Sequence, residues 1–398
     1  MELKPIGRWS EKPASTSVHR IATFGGSLRL PVTVLRIIGI WPTDGNDFAS
    51  MGRWVFAVIT QVSFYTCKKT ASCRRSITTI YTLLSKLLIL RLNSKHTYAL
   101  ISSVANDWST VADSRHERIM TEYFKKGRMV SLMILYLGYA SGLSFVVKAL
   151  PFHVILPFQM IQDTTNSTAQ SNSATKLNYF LATYCVFGSL PFLQHTCVLV
   201  LQGMHIFVNA VAHCGNDGLF FSLTMHLCGQ FELLKMSLRE IEYDEFSYKK
   251  RIGTIVKRHC RLAVLTNDLE QSFSMIILVQ LLMSASLICV EGNNDLIEAC
   301  SLKSVVLMAT LLMQLYLYAY AGERIESQTE AIAQAAYHSP WYHSEGHTAR
   351  EIVLIISRGN SPFHITAGKF IDMNMFTFKE ILKASASYLS VLKVMMDV

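Results

Sequence analysis

Apolar residues in this chain come in long blocks, not in short alternations. Runs dominated by Leu, Ile, Val, Phe and Met extend near Ile77–Leu92, Met129–Leu150, Leu177–Val211, Leu262–Val290 and Lys303–Ala321. Each approaches the roughly 20 residues that a helix needs to cross a bilayer core of about 30 Å. A shorter run at Trp54–Thr66 and a closing helix within residues 371–398 bring the expected spans to seven. The pattern predicts an all-α membrane protein, a single seven-helix domain over residues 1–398.

A different periodicity follows the fourth block. Phe220, Leu223, Leu227, Phe231, Leu234, Leu238 and Ile241 recur every third or fourth residue, as do Ile252, Ile255, Leu262, Leu265, Leu269 and Phe273. These are one-sided helices that continue past the membrane. Residues 212–261 and 322–370 are therefore expected to form helical extensions, either packing on their own subunit or joining subunits into an anchor bundle.

Composition agrees: 51% of the 398 residues are hydrophobic and only 16% charged, with positive mean hydropathy. That balance excludes an ordinary soluble enzyme. Lys and Arg set the orientation. The segments 1–53, 93–128, 212–261 and 322–370 hold 25 of them, and the alternate segments 67–75, 151–176 and 291–303 hold six. The N-terminus, with a membrane-associated helix in 1–53, is expected in the cytoplasm and the C-terminus outside. No secretory signal opens the sequence, so the first span is expected to serve as the targeting signal. The run Trp54–Thr66 is short, about 20 Å of helix, and four of the six misplaced cations follow it. The sequon at Asn166 falls in a loop expected outside, where it is a candidate glycosylation site.

Candidate chemistry is sparse. The nine cysteines form no CxxC pair; most read as helix-interface fillers, with Cys289 and Cys300 one disulfide candidate. His195, His205 and His213 lie in or near the fourth span without the carboxylates of a metal site. No catalytic residue, metal site or cofactor is expected, no nucleic-acid partner, and no intramembrane acid–base cluster of a transporter or membrane enzyme.

The closing helix is the exception. At about 100° per residue, Glu380, Lys383, Ala384, Ser387, Val391, Val394, Met395 and Val398 share a face, with Phe378, Leu382, Leu389, Leu392 and Met396 opposite. Ionisable groups in a membrane helix face water or protein, so this face either lines a pore or packs on neighbouring helices.

Three stretches carry a resemblance: "RIIGIWP" (36–42), "LYLYAYAGERIESQTEAIAQAAYHSPWY" (315–342) and "SRGNSPFHITAGKFIDMNMFTFKEILKASASYLSVLKVM" (357–395). With Gly322–Glu323, Ser339–Pro340–Trp341 and the Ser–Tyr of the final helix at the expected intervals, the chain resembles an insect odorant receptor. The resemblance implies a subunit of an odorant-gated non-selective cation channel, a heterotetramer with a shared co-receptor in the plasma membrane of olfactory neuron dendrites, in contact with lipid. It makes 371–398 the pore-lining helix, with Glu380, Lys383 and Ser387 along the wall and Val391, Val394 and Met395 as the gate. It places a small volatile odorant in the outer halves of the second, third, fourth and sixth spans, where Tyr81, Tyr139, Gly142, Leu143, Val146, Tyr184, Phe187, Met308 and Leu312 are the positions to line it.

The alternatives are a metabotropic, G-protein-coupled chemoreceptor and a gustatory receptor. The first threads the membrane in the opposite sense and carries DRY-like and NPxxY motifs absent here. The second carries a TYxxxxxQF-like ending, which is missing after Tyr388.

Overall fold

The structure, a computed structural model, describes residues 71–110, 113–149, 191–241, 247–292, 302–343 and 346–396, together with isolated positions 33, 36 and 55. Trp54–Thr66, apart from Val55, and Asn166, Tyr184, Phe187 and Cys300 lie outside the described residues, so neither the first span nor the disulfide candidate is placed. Eight α-helices are described: α1 (Ala71–Leu92), α2 (Ser94–Thr110), α3 (Ser114–Ala149), α4 (Phe192–Arg239), α5 (Tyr248–Gly292), α6 (Leu302–Tyr337), α7 (Gly346–Gly359) and α8 (Met375–Met396). A two-stranded antiparallel hairpin, β1 (Thr366–Ala367) and β2 (Ile371–Asp372), precedes α8. Three described helices, within α4, α5 and α6, are long and apolar enough to cross a membrane by length and composition.

α4 is one helix of 48 residues, about 70 Å at 1.5 Å per residue, and α5 one of 45. Both amphipathic stripes are buried from end to end, Phe220 through Leu238 on α4 with Ile241 just beyond its end, and Ile252 through Phe273 on α5. They meet each other and α1, α2 and α6 within the one chain, so these stripes pack on their own subunit. Helix also fills 94–110 and 114–128: Asp113 caps α3, its Oδ1 accepting from the Arg115 N–H at 3.0 Å.

α3 and α4 cross through small residues. Ser131 Oγ reaches the Gly127 carbonyl at 2.9 Å and Ser222 Oγ at 3.3 Å, and a Cβ on Gly138 would stand 2.6 Å from Cys214 Sγ. Such small residues let helix backbones approach closely.

The hairpin fastens α8 to the body. Gly368 and Lys369 both have positive φ, 62° and 65°, the mirror-image turn that suits a twisted hairpin. Its backbone docks on α5: the Gly368 N–H donates to the Ser274 carbonyl at 2.9 Å and the Thr366 N–H to Glu270 Oε2 at 3.0 Å, while the Thr366 hydroxyl donates to Glu270 Oε1. Asn374 then caps α8 through the Thr377 N–H at 2.9 Å, and the Met375 N–H donates to Glu323 Oε2 of α6 at 3.3 Å. A Cβ on Gly322 would lie 1.8 Å from the Met373 carbonyl oxygen. Only glycine fits where α6 meets the entry to α8.

Candidate functional site

Helices α1, α3, α4, α5 and α6 line a cavity of about 180 Å³. Ile134, Gly138 and Gly142 of α3, Ile206 and Ala210 of α4, Leu287 of α5 and Leu307, Leu311 and Leu317 of α6 supply apolar wall. Polar groups gather on it too: Thr82, Ser141, His205, Asn209, His213, Gln280, Ser284, Thr310 and Gln314. A mostly apolar concavity with a few convergent polar groups is the usual form of a small-molecule site. The volume is modest: a cavity of about 150 Å³ accommodates benzene.

Beneath it lies a buried ion pair. Lys86 Nζ, fully buried on α1, sits 2.7 Å from Asp217 Oδ1 of α4 and 3.3 Å from His213 Nδ1. The Tyr318 hydroxyl donates to Asp217 Oδ1 at 2.6 Å and Gln314 Nε2 to Oδ2 at 3.0 Å. Gln280 Nε2 extends the chain to Gln314 Oε1 at 3.0 Å and Ser284 Oγ at 2.9 Å. The expectation that no intramembrane acid–base cluster exists is therefore corrected. Lys86 interrupts an apolar block and Asp217 stands just beyond one; pairing two ionisable residues across blocks was the available signal. Asp217 falls within the 212–261 extension expected beyond the membrane.

Of the positions expected to line a ligand site, Gly142 is on the cavity wall. Met308 and Leu312 are half-buried on α6 beside the lining residues Leu307, Leu311 and Met313. Tyr139 and Leu143 are exposed on α3 outside the lining, Tyr139 against Phe207 at 6.2 Å between ring centroids. Tyr81 and Val146 lie on α1 and α3, within stretches whose side chains are not described. His195 and His205 are buried, and no group of three or more metal-binding side chains occurs among the described residues.

On α8, Phe378 packs edge-on against Tyr316 of α6 at 5.9 Å and Ile381 joins it on the core. Glu380, Lys383, Ser387 and Val391 face away from the body of the subunit and are exposed. Glu380 and Lys383 pair at 2.8 Å. Val394 and Met395 lie on the same helix, in its last turn. A second uncovered apolar group, Tyr342, Val353, Leu354, Phe370 and Phe376, surrounds the α7–hairpin region.

A family model described as the 7tm Odorant receptor matches residues 74–386. Odorant receptor 22c of Drosophila melanogaster is 25% identical over 193 residues, 44% of this chain and 48% of that protein. Odorant receptor 85f of the same fly is 24% identical over 301 residues, 72% of this chain and 71% of that one. The chain thus spans about half the length of the first of these curated relatives. The solved insect olfactory receptor OR5 from Machilis hrabei, in complex with eugenol, superposes with a TM-score of 0.73 at 13% identity, covering 95% of this chain and 100% of that one. At that identity the likeness establishes the fold alone, an all-α membrane-protein fold.

Proposed function

We propose, because this chain belongs to the 7tm odorant receptor family, that it is an odorant receptor subunit whose ligand occupies the cavity between α1, α3, α4, α5 and α6. The observation that carries the reading is the cavity itself: mostly apolar, dotted with polar groups and bounded by α6, which also holds the start of α8 through Gly322 and Glu323. A ligand that shifts α6 would move α8. The α8 face of Glu380, Lys383, Ser387, Val391, Val394 and Met395 would line a cation pore, its apolar part gating by dewetting, in a heterotetramer with a co-receptor. The uncovered apolar residues around α7 support contact between subunits at that end. The packed ends of α4 and α5 would be cytoplasmic, Asn166 and the C-terminus external, and the site of action the dendritic plasma membrane.

The test is co-expression with the co-receptor and recording of odorant-evoked current. Gly142→Phe fills the cavity, because even a Cβ there meets Ile206 Cγ2 at 3.3 Å; it is expected to abolish the response at normal surface level. Retained responses would remove the cavity from the reading. End tags on intact cells test the threading: a hidden N-terminus and an exposed C-terminus are expected.

A further inference from the structure

Hydrogen-bond roles around Asp217 propagate in one direction only. A carboxylate has acceptors alone, so Gln314 presents its NH₂ to Asp217 Oδ2, at 3.0 Å. That turns the Gln314 carbonyl oxygen away, and Gln280 must meet it with its own NH₂, at 3.0 Å, the same nitrogen also reaching Ser284 Oγ at 2.9 Å. The buried charge therefore orients two successive amides. What is left over is Gln280 Oε1, an acceptor on a side chain only 3% exposed. It receives no hydrogen bond from the described residues, and its residue lines the cavity. Asn209 Oδ1, on the α4 side of the same cavity, is likewise buried without a donor.

A buried acceptor without a donor is costly, and the cost is removed by whatever brings a proton to it. We infer that the cavity selects ligands carrying a hydroxyl group, alcohols or phenols, and that Gln280 Oε1 accepts the hydroxyl proton. An ether, ester, ketone or hydrocarbon of the same size fills the apolar wall yet leaves the acceptor unmet. A protonated amine would bring a donor, but its charge would enter a mostly apolar cavity, the nearby Asp217 carboxylate already holding Lys86 at 2.7 Å, and desolvation opposes it. This inference rests on the cavity being the odorant site.

Isomers separate donor from size. The purified full chain would be titrated with 2-phenylethanol against benzyl methyl ether and with 1-hexanol against methyl pentyl ether, reading half-maximal thermal stabilisation. The same pairs would be applied to cells expressing the receptor with the co-receptor, reading half-maximal current. Alcohols are expected to act at roughly tenfold lower concentration than their ethers, a ratio falling towards one in Gln280→Leu. Equal potency within both pairs in the unmutated protein overturns the inference without any variant, as it would if water satisfied the acceptor instead. So does a panel on which neither member of either pair binds. A preference that survives Gln280→Leu in a folded, surface-delivered protein but vanishes in Asn209→Leu overturns the assignment to Gln280. Odorant currents that Gly142→Phe leaves intact would sink the site itself, whereas currents abolished by Gly142→Phe alongside equal isomer potencies would sink only the hydroxyl reading.

Discussion

The two ends of α4 are built on opposite principles. Near its start Leu193, Val200, Leu201, Met204 and Phe207 point outward, while His195, Gln202 and His205 are buried. Three turns on the apolar side chains turn inward: Phe220, Phe221, Leu223, Leu227, Phe231, Leu234 and Leu238 are buried, and Thr224, Gln230 and Lys235 are buried with them. No break in the helix separates the halves. An apolar exterior suits lipid around the first half, and a closed interior suits water around the second. In lipid, apolar side chains gain nothing by turning inward, so polar groups are free to furnish an interior cavity. In water they must be buried, and the interior is filled.

The largest expected contrast comes from equal truncations on the two halves. Phe231→Ala should cost about 3 to 5 kcal/mol, because it removes a large side chain from a closed core. Phe207→Ala removes a half-exposed ring and should cost below about 1 kcal/mol. Thermal unfolding in detergent and surface delivery would report both. Similar losses from the two would mean that the first half is packed by protein and the boundary drawn along α4 is misplaced.

That boundary also explains what was legible in the sequence. Period and block length predicted helices for both stripes, and the stripes emerged buried residue for residue. The ligand-site positions were harder. Tyr139 and Gly142 are three residues apart on α3, yet one faces outward and the other lines the cavity. An apolar helix in lipid is apolar on every side, so hydrophobicity does not distinguish its faces. Polar residues do: Asn209, Gln280 and Gln314 were visible in the sequence and all line the cavity. On α8 the polar Glu380 and Lys383, which the sequence puts on one face, are both exposed.

The ion pair where the halves meet is the next test. Asp217→Asn leaves Lys86 charged and fully buried, and removing one partner of such a pair typically costs about 3 kcal/mol or more. Lys86→Met with Asp217→Leu should recover most of that loss in the same unfolding assay, because the double variant buries no charge. A double variant as damaged as Asp217→Asn would show that the Tyr318 and Gln314 hydrogen bonds, rather than the charge, carry the stability.

A smaller effect is expected at the junction of α6 and α8. Gly322→Ala puts a methyl group 1.8 Å from the Met373 carbonyl oxygen, so the entry to α8 must move, at about 1 to 3 kcal/mol. The informative readout is current: with the co-receptor present, basal or odorant-evoked current should change at normal surface level. Unchanged current at unchanged stability would show that the pore helix is positioned from elsewhere.

The smallest effect belongs to the filled half. Asp107 of α2 is buried, with Oδ2 3.0 Å from His226 Nε2 of α4 and Oδ1 2.7 Å from Arg261 Nη2 of α5. Burial alone would raise its carboxyl, but the hydrogen bonds and charges of His226 and Arg261 outweigh burial and hold it below the ordinary value. A carboxyl depressed in the folded state adds stability that is complete above the unfolded value of about 3.9 and is lost as pH falls through the folded one. Unfolding of the purified protein between pH 7 and pH 3 should therefore cost the unmutated chain about 1 kcal/mol more than Asp107→Asn. The variant itself should be about 1 to 3 kcal/mol weaker at pH 7. Parallel pH profiles would show that water reaches this carboxylate and that the filled half is open at α2.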